Sequence, residues 1–128
     1  MPMSDYLANA VANAALRNTS YTSPATVYAA LYSTAPTVST SGTELTGNGY
    51  ARVSTTFSAP SAGSTSTSAS ITFGPATGNA WSTVAAFAIV DASSSGNILF
   101  FKTIAGQNII VGDSLVIDGG NVTIDINT

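Results

Sequence analysis

Apart from its tyrosines, the ionisable residues of this chain are few. Six carboxylates (Asp5, Glu44, Asp91, Asp113, Asp118 and Asp125) face three cations (Arg17, Arg52 and Lys102), and the sequence has neither His nor Cys. Without imidazole or thiol, no Ser-His-Asp or Cys-His relay can be assembled and no imidazole can hold a metal. Asp113, Asp118 and Asp125 fall near turns and strand ends. Two of them could in principle flank a glycosidic bond as acid and nucleophile. An Asp at a turn, however, usually hydrogen-bonds its own backbone there, and that is the reading adopted. No run has the dense oxygen spacing of a Ca²⁺ loop. Gly47-Asn48-Gly49 precedes neither a Lys-Ser/Thr pair nor a helix, so it is no phosphate cradle. Asn18-Thr19-Ser20 and Asn121-Val122-Thr123 match the glycosylation sequon, but no signal peptide is expected that would give them meaning. The chain therefore reads as a non-enzyme with no cofactor and no metal.

Its composition narrows the partners. At 128 residues the chain is long enough for one domain with a substantial core. Charged residues make up 7%, far below the roughly 25% of an ordinary soluble domain. The polar surface must come from 18 Ser and 18 Thr, with Asn and Gly. Such a surface is hydrated yet nearly uncharged, and it tolerates close packing against other protein. Three scattered cations cannot supply the phosphate contacts that nucleic acid requires, nor the basic patch that an anionic membrane attracts. The longest apolar runs are far short of the ~20 residues needed to span a bilayer. The simplest expectation is a cytoplasmically made protein that assembles or is released without a signal.

The elements that must position these residues follow from periodicity. Ser4 is a good N-cap, and Asp5 suits the positive end of a helix dipole. From Asp5 to Arg17, Leu7/Val11/Ala15 and Ala8/Ala12/Leu16 repeat at i, i+4, which predicts an amphipathic helix of about three turns. Its stripe docks on the chain's own sheet or on a partner. Strands are expected at Thr26–Ser33, with Tyr28 and Tyr32 on a partly exposed face, at Tyr50–Phe57 and at Ala69–Phe73. Further strands are expected at Val84–Val90 and Asn97–Lys102, at Ile109–Val111, at Leu115–Ile117 and at Val122–Ile126. The apolar run Val84–Val90 and its partner, joined by Ala92-Ser93-Ser94-Ser95-Gly96, form a hairpin at the sheet centre. Ala35–Asn48 lacks periodicity and reads as a long loop, and Ser58–Ser68 as a flexible low-complexity linker. Trp81 is expected as a core or rim anchor. Seven or eight short strands after one helix predict a mainly β fold, an antiparallel β-sandwich, with a small barrel as runner-up. The expected organisation is one domain over 1–128, with a helical arm at 1–18, a sandwich over 26–126 and long loops near 35–48 and 58–68.

Several blocks carry a resemblance. GNGYARVSTTFSAPS (Gly47–Ser61), the stretch Ile71–Ile104 and VGDSLVIDGGNVTIDI (Val111–Ile126) are similar to small bacteriophage virion structural proteins. Leu16–Thr37 looks like the start of the same family. The most recognisable marks are Gly49-Tyr50-Ala51-Arg52, the Trp81–Asp91 strand, Ser95-Gly96-Asn97 and Gly112-Asp113-Ser114-Leu115. One departure is Ala85-Ala86 and Ala88, where a bulkier or more polar stretch is expected. These are packing and turn motifs, so the resemblance brings no catalytic residue with it. It implies a capsid cement or decoration protein, or a tail-fibre-like one.

Three functions are carried forward. The first is a capsid cement protein that bridges neighbouring copies of the major capsid protein, and copies of itself, through multivalent burial. The second is a tail or tail-fibre component involved in host adhesion, for which Tyr21, Tyr28, Tyr32 and Tyr50 are the candidate aromatics. The third is a carbohydrate-binding module, which fold analogy alone does not license. The preferred location is the virion, on the capsid surface before the tail. The residues expected to form the partner interface are Tyr6, Leu7, Val11 and Leu16 on the helix, with Glu44 and Leu45 in the loop.

Overall fold

A computed structural model describes residues 1–126; Asn127 and Thr128, the end of the expected 1–128 domain, lie outside the described residues. The element order is α1 (Asp5–Leu16), β1 (Val27–Thr34), β2 (Thr43–Glu44), β3 (Val53–Thr55), β4 (Ser64–Ser66), β5 (Ile71–Phe73), β6 (Val84–Val90), β7 (Ile98–Gln107), β8 (Leu115–Ile117) and β9 (Thr123–Asp125). The fold is mainly β: an antiparallel sandwich with one N-terminal helix and, among the described residues, nine strands where seven or eight are expected.

One layer is a five-stranded sheet in the order β2-β1-β6-β7, with β3 also paired to β1. The other is made of two ribbons, β4–β9 and β5–β8. Every ladder is antiparallel. Alternation on the strands explains how the layers meet. Leu31 lies opposite Phe87 and Ala29 opposite Ile89. These four join Ile71, Phe73, Val122 and Ile124 from the ribbons in the main core.

The reverse face of the large sheet is also closed. Ala30, Ala86, Ala88, Val90, Tyr32 and Phe101 form a second cluster, with Tyr28 and Ile98 packed against it. Tyr32 is only 3% exposed, so the tyrosine face of β1 is more deeply covered than its composition suggests. The register accounts for the small residues on β6. Ala88 lies between Ala30 and Phe101, and Ala86 opposite Tyr32. Large rings on the flanking strands occupy the volume that bulkier β6 side chains would need.

Several boundaries differ from the sequence pattern. The hairpin β6–β7 is present, but β6 is the central strand of the two; among the described residues the outer side of β7 is met by the N-terminal segment, where Ser4 N–H donates to the Leu99 carbonyl and Phe101 N–H to that of Pro2. β7 runs on through Ala105-Gly106-Gln107, past the expected end at Lys102, and a register shift against β6 absorbs the extra residues. Ile109–Val111 is not a strand. The chain reverses there, with Asp113 N–H on the Ile110 carbonyl and Gly112 at φ +90°. Only Ile109 of the three is buried. The two stretches expected as loops each carry a short strand. β2 lies in the first and pairs with β1, and β4 lies in the second and pairs with β9. The Ser/Thr-rich 58–68 segment is held by backbone pairing, as in Ser58 N–H to the Ser66 carbonyl; its low apolar content hid a strand whose own side chains are only half-buried.

Candidate functional site

The densest polar chemistry in the molecule gathers around Glu44. Glu44 closes β2 and is placed opposite Tyr32 of β1. Tyr50 and Arg52 arrive from the Gly47–Val53 segment, which turns sharply through Gly47, Asn48 and Gly49, all with positive φ. Glycine is required at 49. A Cβ there would meet the Pro75 carbonyl oxygen at 2.7 Å, inside any real contact, and φ +84° is left-handed.

β2 and β3 share one edge of β1 and leave a gap between them. Tyr50 fills it: its hydroxyl accepts from Leu31 N–H at 3.0 Å and donates to Glu44 Oε2 at 2.6 Å. The Leu31 carbonyl accepts from Leu45 N–H. A side-chain hydroxyl thus replaces a strand rung, which satisfies the backbone of a buried residue. Arg52 grips the same carboxylate with two nitrogens, Nε to Oε2 at 2.9 Å and Nη2 to Oε1 at 2.8 Å. Its Nη1 donates to the Ala92 and Ser95 carbonyls at 2.7 and 2.8 Å. One guanidinium therefore joins β2, the start of β3 and the β6–β7 turn. Planar, fixed donors suit such bidentate binding, which an ammonium would not match.

The electrostatics agree with the geometry. Burial pushes the Glu44 carboxyl up, but the hydrogen bonds from Arg52 and Tyr50 and the Arg52 charge outweigh it and hold the group below its ordinary value. Burial, and then the bond to Glu44, push the Tyr50 hydroxyl well up. Tyr32 is pushed up to about 12 by burial, with the Glu44 charge adding to it. These shifts stabilise a fixed charge state, with carboxylate and phenols each held in their neutral-pH form. None brings a group toward the neutral range where proton transfer is useful. Tyr50 also stacks on Phe73 and meets Trp81 edge-on, with centroids 6.3 and 5.8 Å apart. Trp81 is buried and donates its Nε1–H to the Asn48 carbonyl. It is the core anchor its isolation in the sequence suggests.

The expected interface residues separate into two groups. Leu7 and Leu45 are buried in the main core, and Glu44 is committed to Arg52 and Tyr50. Tyr6, Val11 and Leu16 remain exposed on α1, Leu16 at 82%. The helix is anchored at its first turn: Ser4 accepts from Leu7 N–H and donates to the Ile98 carbonyl, and Leu7 enters the core, while Ala10 and Asn13 further along are half-buried. The carboxylates raised as a hydrolytic pair sit on separate turns and strands. Asp113 and Asp118 take part in turns through their backbones, and Asp125 pairs with Ser64 in the β4–β9 ribbon. Asp91 behaves as a turn residue, with its two oxygens on Asn97 N–H and Nδ2. Among the described residues no three His, Cys, Asp or Glu side chains gather as a metal site, and no helix is long and apolar enough to cross a membrane. Sequence reasoning placed Arg52 within a strand over Tyr50–Phe57 and missed its partner. The signal was available in a chain with three cations and one Glu: the Gly-Tyr-Ala-Arg block lies five to eight residues beyond Glu44.

A sandwich whose charged network is consumed in bracing its own strands is a structural component, and comparison with known families specifies which kind: a small bacteriophage virion structural protein of tail-fibre-like type. The chain belongs to the family described as Podophage GP4 fiber I protein gp80, whose model matches residues 2–125. No curated protein matches it significantly.

Proposed function

We propose that this chain is a non-enzymatic component of the phage tail-fibre apparatus, serving host attachment, and is not a cement of the capsid shell. The observation that supports this reading is the fibre family match along almost the entire chain, residues 2–125. The Glu44–Arg52–Tyr50 network is compatible with it, since every one of these groups is spent on cohesion and none is poised for chemistry. The surface rich in Ser and Thr with few charges suits packing among other virion proteins. The partners would be copies of this chain and neighbouring tail proteins. The test is to separate heads from tails in purified particles and quantify this chain in each by mass spectrometry. Low copy number in the tail fraction is the expected result. A high copy number confined to heads would overturn the fibre reading in favour of the cement one.

A further inference from the structure

We infer that this chain binds a neutral polysaccharide in a polar groove between the β1–β2 loop and the β6–β7 turn, with the buried Tyr32 hydroxyl as a donor to it. The inference deepens the fibre reading and rests on it for the source of the sugar, a host surface. Two hollows make the groove. The inner one, about 290 Å³, is lined by Tyr32, Ser41, Glu44, Arg52, Ser95 and Asn97. The outer one, about 420 Å³, reaches from Ser39 and Thr40 to Asp5 and Tyr6 at the start of α1. Ser41, Gly96, Asn97 and Ile98 line both, so the two are continuous. Each is near or above the ~300 Å³ at which small-ligand sites begin. The wall is built before any ligand arrives: Thr37 and Thr40 are bonded through both backbone and hydroxyls, and the Val38 carbonyl accepts from Asp5 N–H.

Tyr32 is the residue that points to a ligand. It is 3% exposed, yet its hydroxyl has no hydrogen-bond partner among the described residues and it lines the inner hollow. A buried phenol ordinarily finds a partner; the neighbouring Tyr50 hydroxyl has two. Burial and the Glu44 charge keep the proton on Tyr32, so the group is a donor. Glu44 stands opposite it in the β1–β2 register. Among the described residues Glu44 Oε1 accepts one bond, from Arg52, and so retains acceptor capacity. A donor and an acceptor side by side match adjacent hydroxyls of a pyranose ring, each of which both gives and receives a hydrogen bond. The outer hollow adds Ser and Thr hydroxyls and Tyr6, 38% exposed, whose ring offers an apolar face to a further sugar unit. Charge selects a neutral chain. Asp5 and Glu44 line the groove with one cation, Arg52, which is already paired, so an acidic sugar would meet an uncompensated carboxylate.

The test is an NMR titration of the isotope-labelled full chain with the methyl glycosides of glucose, mannose, galactose and rhamnose, a linear trisaccharide of each, and methyl glucuronide as the charged control. At least one neutral glycoside should bind with Kd near about 1–10 mM and shift the amides of Ser41, Gly42, Ser95, Gly96 and Asn97. Its trisaccharide should bind about fivefold or more tighter by reaching Tyr6. Tyr32→Phe removes an oxygen that no protein group uses; it should keep the wild-type urea midpoint and weaken binding about five- to tenfold. Tyr6→Ala, at an exposed position, should weaken the trisaccharide about three- to tenfold and leave the methyl glycoside unchanged. A panel that leaves those amides unmoved overturns the inference. So does a Tyr32→Phe variant that binds as wild type does or that loses stability, since the hydroxyl would then serve the fold alone. A tighter grip on methyl glucuronide than on the neutral glycosides overturns it as well, and a trisaccharide bound no tighter than its methyl glycoside makes the ligand a free sugar and overturns the polysaccharide. None of these results bears on whether the chain is found in tails, which the particle fractions decide separately.

Discussion

Removing the Arg52 side chain is the sharpest probe of what holds this sandwich together. Arg52→Ala deletes four hydrogen bonds in one step: two to the Glu44 carboxylate and two to the Ala92 and Ser95 carbonyls. It also strands the carboxylate. The Arg52 and Glu44 side chains are 9% and 23% exposed, so the pair is mostly withdrawn from water. Breaking a fully buried pair costs about 3–5 kcal/mol because an uncompensated charge remains. Here Glu44 keeps the Tyr50 hydroxyl and some access to water, which brings the expected loss to about 2–3 kcal/mol. For a chain of this length that lowers Tm by roughly 6–12 °C. Urea unfolding followed by Trp81 fluorescence measures it directly. Adding Glu44→Gln to Arg52→Ala removes the stranded charge, so the double variant should be more stable than the sum of the singles by about 1–2 kcal/mol. A loss below about 0.5 kcal/mol for Arg52→Ala, the level of an ordinary surface change, would refute the assignment of Arg52 as the joint between β2 and the β6–β7 turn.

Three further outcomes follow from the same geometry. The Glu44 carboxyl is held below its ordinary value in the folded chain; its contribution is therefore present above the unfolded carboxyl value of about 4.3 and is lost as pH falls through the lower folded value, and Glu44→Gln should flatten that acid limb in a pH series of urea midpoints. Gly49→Ala should cost about 2–4 kcal/mol, from a left-handed φ and a clash with the Pro75 carbonyl, whereas Gly47→Ala, with open space around its Cβ, should cost only about 1 kcal/mol in the same assay. Trp81→Phe should be mild for a buried indole, about 1–2 kcal/mol in urea unfolding, because the Asn48 carbonyl that loses Nε1–H still accepts from Thr77 N–H.

The elements with strong periodicity were legible in the sequence. The continuous apolar run of β6, the alternation on β1 and β5, and the Ser4 cap of α1 all lie where their patterns place them, because burial on one or both faces leaves a mark in residue type. β2 and β4 left no such mark. Their residues are Thr, Glu and Ser, and what holds them is backbone pairing to β1 and β9, which composition does not record. The strand expected at Ile109–Val111 failed for the opposite reason: three apolar residues in a row look like a strand, yet Gly112 turns the chain and leaves two of them outside. At the site, Arg52 and Tyr50 were visible as parts of a recognisable block. Their joint grip on Glu44 was not, because it depends on β2 and β3 sharing one edge of β1, a fact of topology. The helix was foreseen with its apolar stripe, but only the three-dimensional structure separates Leu7, which enters the core, from Val11 and Leu16, which do not.

The scarcity and placement of cations have a consequence for survival outside the cell. A trypsin-like protease can cut this chain after only three residues, Arg17, Arg52 and Lys102. To do so it must draw the side chain into its specificity pocket and straighten the flanking backbone. Arg52 is clamped by Glu44 and two carbonyls, and Lys102 lies within the β7 ladder opposite Phe87. Arg17, at the exposed end of α1, is the one accessible bond. Digestion of the native protein would cut between α1 and β1 and leave the chain from Asn18 onward whole, so a particle passing through protease-rich surroundings would keep an uncut β scaffold, with the severed helix held only by Leu7 and the contacts of residues 1–4 with β7.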